Sequence, residues 1–140
     1  MTSLSKKTLV VAVAVALSGG ASLALAQYPL VNTDQPGQAL IYPYMTANSG
    51  WQSFLHVTNV SNTTVAAKVR FHAAKDSADV LDFIVVLSPY DMWTGVVEQS
   101  PAGEYGFRPT DNSCTVPVIG KDVFQKFPVQ TSEVYAEVIM

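Results

Sequence analysis

The stretch VLDFIVVLSPYDMW, Val80 to Trp93, ends an apolar run on side chains that do chemistry elsewhere: Asp82, Ser88, Tyr90 and Asp91. A serine nucleophile needs a base within hydrogen-bond reach. The two histidines, His56 and His72, fall on other segments. Ser-Pro-Tyr-Asp is also turn chemistry, with Pro89 supplying a fixed φ at the second position and Ser88 or Asp91 bonding local amides. The turn reading is preferred, with Trp93 pointing to the core.

The remaining candidates are weighed in the same way. Asp76, Asp79 and Asp82 lack the alternating oxygen ligands and distant glutamate of a calcium loop. Asp82 falls on a strand facing the basic side of the strand before it, so a cross-strand charge pair is expected. His56, His72 and Cys114 match no zinc spacing. Cys114 is the single cysteine; it is read as a free thiol or as the partner of a cysteine outside this chain. Asn59-Val60-Ser61 and Asn62-Thr63-Thr64 are formal glycosylation sequons in an Asn/Thr-rich turn. Tyr28, Tyr42, Tyr44 and Trp51 cluster ahead of the second strand. Of these, Tyr42, Tyr44 and Trp51 form a candidate aromatic patch for a surface glycan or a protein partner. No residue set implies a cofactor, a metal or a catalytic centre.

The compartment is read from the N-terminus, MTSLSKKTLVVAVAVALSGGASLALA. Lys6 and Lys7 precede an unbroken apolar run, Leu9 to Leu17, which is too short for the roughly 20 residues that span a bilayer. Ala24-Leu25-Ala26 supplies a small-x-small cleavage pattern, so a secretory signal peptide over 1–26 and cleavage before Gln27 are expected. The short n-region and the Ala-x-Ala end look bacterial, and export to the periplasm, cell surface or medium follows. Residues 27–140 form one domain's worth of chain, with no second long apolar run. Two of the 8 basic residues lie in the leader, so 6 face 11 acidic ones and the mature net charge is −5. The remaining basic residues are scattered, with no stripe to follow a phosphate backbone, which argues against nucleic acid.

These side chains must be positioned by strands. VAAKVRFHAA puts Val65, Ala67, Val69, Phe71 and Ala73 on one face and Lys68, Arg70 and His72 on the other, the alternation of a half-buried antiparallel strand. SFLHVTNV, VLDFIVVL and MWTGVVE follow suit. ALIYPYM holds Pro43, which confines it to an edge. Residues 65–73 and 80–87 should pair as a hairpin closed by Lys75–Ala78, with Asp82 opposite Arg70 or His72. Turn signals every ten or so residues suggest a meander folded into an all-β sandwich or barrel. Residues 99–132 are punctuated by Pro and Gly, and only short strands fit, around Glu104–Phe107 and Val116–Ile119. SEVYAEVIM alternates like a strand and stops without a turn. The natural chain is therefore expected to continue past Met140, and the unfinished strand to be able to pair with another copy.

The segments ALIYPY, VRFHAAKDSADVLDF, LSPYDMWTG, DNSCTVP and EVYAEVI, spread over residues 38–140, resemble an uncharacterised family of exported bacterial cell-surface proteins. The resemblance implies an immunoglobulin-like antiparallel β-sandwich and a longer parent protein. It implies no activity. The resulting expectation is a non-enzymatic structural or adhesive surface protein, with a carbohydrate- or protein-binding module around Tyr42, Tyr44 and Trp51 as the alternative.

Overall fold

The computed structural model describes residues 37–140. The expected signal peptide, the cleavage site and Tyr28 lie outside the described residues. Among the described residues are nine strands: β1 Ala39–Thr46, β2 Ser53–Thr58, β3 Val65–Ala73, β4 Asp79–Leu87, β5 Met92–Gln99, β6 Tyr105–Pro109, β7 Cys114–Val116, β8 Gln125–Lys126 and β9 Glu133–Ile139. They form two antiparallel sheets, ordered β1-β9-β3-β4-β7 and β2-β5-β6-β8. The two sheets pack face to face as a sandwich.

Alternation in the sequence becomes the division between core and surface. Ala67, Val69 and Phe71 of β3, Phe83, Val85 and Leu87 of β4, and Leu55 and Val57 of β2 are buried. Phe107 sits at the centre, with ring centroids 5.0 Å from Phe71, 5.7 Å from Phe83 and 5.6 Å from Trp93. Two of these rings come from the five-stranded sheet and two from the four-stranded one. The aromatic cluster therefore joins the sheets, in the offset and tilted geometries that rings prefer. Phe127, just past β8, closes it at 6.1 Å from Phe71. Gly95 of β5 makes room for this cluster, because a Cβ there would collide with the Phe107 ring.

β3 and β4 pair with Arg70 opposite Asp82, as the hairpin register requires. The register shifts between Phe71 and His72, which face Leu81 and Asp79, so Val80 is an extra residue that turns inward and is buried. The hairpin closes with Ser77 N–H donating to Ala73 O at 2.9 Å and Ala73 N–H to Ala78 O at 2.8 Å. Pro43 does lie on an edge strand, β1.

Three expectations are corrected. The described strands do not form a simple meander: among them only β3–β4 and β5–β6 are neighbours both in sequence and in a sheet. The Ser-Pro-Tyr-Asp turn is accordingly a corner that carries the chain from one sheet to the other. The strand expected at Val116–Ile119 runs instead over Cys114–Val116. Ile119 leaves the sheet and tucks inward, held by its N–H donating to Thr115 Oγ1 at 2.6 Å. Finally, β9 offers no free backbone edge, since it is hydrogen-bonded to β1 on one side and β3 on the other.

Candidate functional site

Tyr42 and Tyr44 are two residues apart on β1, and unbroken pleating would put both on one face. The β1–β9 register shifts between Tyr42 and Met45 and separates them. Tyr42 opposes Ala136 on the inward side and is half-buried. Its hydroxyl donates to the His56 carbonyl of β2 at 2.6 Å. Burial raises the Tyr42 pKa above its usual 10.0. Tyr42 is thus a strut between the edge strands of the two sheets and not a ligand-facing ring. A second tie lies nearby: Thr46 N–H donates to Ser53 Oγ at 2.8 Å, and that hydroxyl donates to Thr46 O at 2.9 Å.

Tyr44 turns outward and is 61% exposed, and Trp51 is 70% exposed. They line one open cleft with Thr46, Asn48, Ser49 and Glu133. The rim between the two rings is a 3-10 turn, Asn48–Gly50, closed by Trp51 N–H donating to Asn48 O at 3.1 Å. Ser49 and Gly50 hold φ of 55° and 82°, a left-handed pair that reverses the chain in minimal length and aims Trp51 back at the cleft. Glu133 comes from the start of β9, and its Oε1 accepts the Tyr44 hydroxyl at 3.0 Å. Sequence reasoning missed Glu133: it lies 89 residues from Tyr44, and only the β1–β9 pairing delivers it.

The other candidates lie apart from this cleft. Cys114 is exposed on β7, the opposite edge of the five-stranded sheet from β1. Asp76, Asp79 and Asp82 diverge. Asp76 Oδ1 accepts the Ala78 N–H at 3.2 Å, Asp79 Oδ2 pairs with Arg70 at 3.1 Å, and Asp82 pairs with Lys68 at 2.8 Å. The Lys68 ammonium, bonded to the Asp82 carboxyl, lowers its pKa, and Arg70 adds a smaller effect. Asp82 therefore takes its diagonal neighbour as partner and not the directly opposite Arg70.

His56 is exposed, whereas His72 is buried on the outer face of its sheet under the Tyr135 ring, stacked at 4.7 Å. His72 Nδ1 lies 2.8 Å from Asp79 Oδ1, but the contact lacks the alignment of a hydrogen bond.

In the corner, Asp91 is fully engaged by the backbone. Its Oδ2 accepts Ser88 N–H at 3.3 Å and its Oδ1 accepts Met92 N–H at 2.9 Å. The turn bond runs from Asp91 N–H to Ser88 O at 3.2 Å. Such a carboxylate anchors a turn.

A polar cluster that the sequence did not suggest covers the outer face of the four-stranded sheet. Arg108 of β6 grips Glu98 of β5 with Nε and Nη2, and Gln52 Nε2 adds a third bond to the carboxylate at 2.7 Å. Hydrogen bonding to Glu98 raises the Arg108 pKa further above its already high value. Two parallel N–H donors on one carboxylate make a rigid pair. This pair, with Phe54 alongside in the same row, shields Val96, which faces outward yet is fully buried.

The arrangement defines an all-β two-sheet sandwich domain with an aromatic cleft at one edge. Comparison with protein-family models, curated proteins and solved structures found no match to this chain.

Proposed function

We propose that this chain is a non-enzymatic, exported adhesive protein of the bacterial cell surface, and that it grips a surface glycan at the Tyr44–Trp51 cleft. One observation carries the reading: two strongly exposed aromatic rings line the same cleft as the polar groups of Asn48, Ser49 and Glu133. An exposed Trp costs solvation unless something covers it, and flat rings flanked by hydrogen-bonding groups suit the apolar face and rim hydroxyls of a pyranose. The leader-like N-terminus supports export. Of the polar groups weighed as a catalytic site at Ser88–Asp91, the Asp91 carboxylate is taken up by the corner backbone, which supports the non-enzymatic reading.

The proposal includes an immunoglobulin-like topology. Strands β2, β5 and β6 are neighbours in one sheet, with the β3–β4 hairpin in the other. That matches the C-F-G and D-E portions of the immunoglobulin arrangement. β7 occupies the place beside β4 that strand B would take, and β1 and β9 extend the sheet beyond β3.

The test is binding of the labelled exported protein to a glycan array and to whole cells. Trp51→Ala should abolish binding at an unchanged melting temperature. Undiminished binding by that variant would overturn the assignment of the cleft. Intact-mass measurement on exported material tests the leader: a chain still carrying Lys6 and Lys7 would remove the expected cleavage before Gln27.

A further inference from the structure

Resting on the reading of this cleft as a glycan site, we infer that its ligand is a cationic amino sugar, a hexosamine residue with a free protonated amine, in preference to an N-acetylated or an acidic sugar. Among the residues that line the cleft, Glu133 carries the one charged side chain. It forms no ion pair among the described residues, while Asp79, Asp82, Glu98 and Glu104 all do. The Tyr44 hydroxyl donates to one of its oxygens at 3.0 Å. That bond orients the carboxylate and leaves Oε2 with no donor among the described residues.

The other walls agree with this. The Trp51 and Tyr44 faces carry the negative quadrupole that attracts an ammonium group and the polarised C–H bonds beside it. Asn48 uses its carboxamide oxygen to accept the Ser49 hydroxyl at 3.3 Å, so its NH2 remains free to donate to a ring hydroxyl. Thr46 is already engaged: its hydroxyl donates to Ser132 O at 3.4 Å and accepts Asn48 N–H at 3.1 Å. The free groups of the cleft are therefore an anionic acceptor, an amide donor and two ring faces. A protonated 2-amino sugar uses all of them. Acetylation removes the cation, and a uronate sets a second carboxylate against Glu133.

The experiment titrates the full exported protein with three oligosaccharides of equal length, following Trp fluorescence and calorimetry: a glucosamine oligomer, its N-acetylated counterpart and an oligogalacturonate. The glucosamine oligomer should bind about tenfold more tightly than the N-acetylated one, the combined scale of an exposed ion pair and a cation–π contact. The oligogalacturonate should bind most weakly. Glu133→Gln should shrink the preference to the few-fold that the cation–π contact with the rings still supplies, without abolishing either binding, and the parent's preference should shrink with added salt. Equal affinity for all three, or a preference that survives Glu133→Gln undiminished, overturns the amine inference and leaves the glycan cleft standing. Absence of binding to any of the three, with glycans of other classes captured through Trp51, overturns the inference as well. No glycan binding at all overturns the functional reading beneath it. Melting curves of Glu133→Gln and Trp51→Ala matching the parent exclude unfolding as the cause of any loss.

Discussion

The Tyr42 hydroxyl donates to the His56 carbonyl at 2.6 Å and so joins the exposed edges of two different sheets. Edge strands with unpaired backbone groups invite pairing with other chains. β1 is interrupted by Pro43 and by the register shift next to it, whereas β2 has neither device. The phenol from β1 occupies a carbonyl that β2 would otherwise present to a neighbour. A residue read from sequence as a ligand contact thus serves to close the sandwich.

Tyr42→Phe should cost about 0.5–1.5 kcal/mol, the net value of one hydrogen bond, and should increase self-association measured by light scattering. Glycan binding should not change. The alkaline limb of stability should also change. Burial raises the Tyr42 pKa above 10.0, so its contribution is fully present below the unfolded value and is lost as pH rises through the folded one. Denaturation midpoints of the parent should therefore fall above about pH 10, the ordinary tyrosine range, and the Phe variant should show a shallower fall. Loss of ligand binding at parental stability would mean that the ring faces the ligand after all.

Sequence pattern carried the fold as far as alternation was regular. β3 was readable to the residue and β4 to within one, because Val65 to Ala73 and Val80 to Leu87 alternate cleanly. It failed where local and tertiary signals part. Val116-Pro117-Val118-Ile119 looks like a strand by composition, but only its first residue is in a ladder. Phe127 is fully buried although it sits among Pro, Gly and polar residues, since its partner is Phe71 on another sheet. The cleft was half legible. Trp51 and Tyr44 announce themselves by type, whereas Glu133 arrives by strand pairing, and the shift beside Tyr42 cannot be counted from residue spacing.

Gly95→Ala tests the centre of the core. The added methyl must displace the Phe107 ring, which touches Phe71, Phe83 and Trp93. Overpacking of this kind costs about 1–3 kcal/mol. A loss in that range by urea denaturation, partly relieved in a Gly95→Ala, Phe107→Leu double variant, is the expected result. Additive losses in the double variant would show that the two positions are independent.

The β3–β4 hairpin should respond unequally to two neighbouring changes. Phe83 is buried in the aromatic cluster, so Phe83→Ala should cost about 3–5 kcal/mol. Asp82 is largely exposed and pairs with an exposed Lys68. Asp82→Asn should therefore cost no more than about 0.2–1 kcal/mol. The sign with pH follows from the lowered Asp82 pKa: its contribution is present above the ordinary value of 3.8 and is lost as pH falls through the folded one. The difference between parent and Asp82→Asn should accordingly vanish in acid and also in high salt. A difference that grows in acid would assign the stabilisation to another group.

The corner at Ser88–Asp91 is held from outside by Asn59, which is only 3% exposed. Its Nδ2 donates to Thr63 O at 2.7 Å and to Ser88 O at 2.8 Å, and its Oδ1 accepts Ser61 N–H at 3.0 Å and the Ser61 hydroxyl at 2.7 Å. One buried carboxamide thus ties the loop after β2 to the turn between the sheets, with its donors and its acceptor engaged. A sugar on Nδ2 would replace one of these donors and place its bulk where no solvent reaches, so this sequon is a structural pin. Removing the side chain takes one hydrogen bond from each of the Ser88 and Thr63 carbonyls, which keep the Asp91 N–H and the Ser61 hydroxyl, and each such bond is worth about 0.5–1.5 kcal/mol. Asn59→Ala should therefore destabilise the fold by at least that amount, and Asn59→Asp by a similar amount, because a carboxylate cannot donate to the two carbonyls. Ser88→Ala should leave stability within about 0.5 kcal/mol, the usual range for a surface change, since Ser88 contributes its backbone to the corner. Chemical denaturation of the three variants reads the ranking directly. An Asn59→Ala variant as stable as the parent would show that the carboxamide does not hold the corner. A Ser88→Ala variant that folds normally but loses ligand binding would move the functional surface from the Trp51 cleft to this turn.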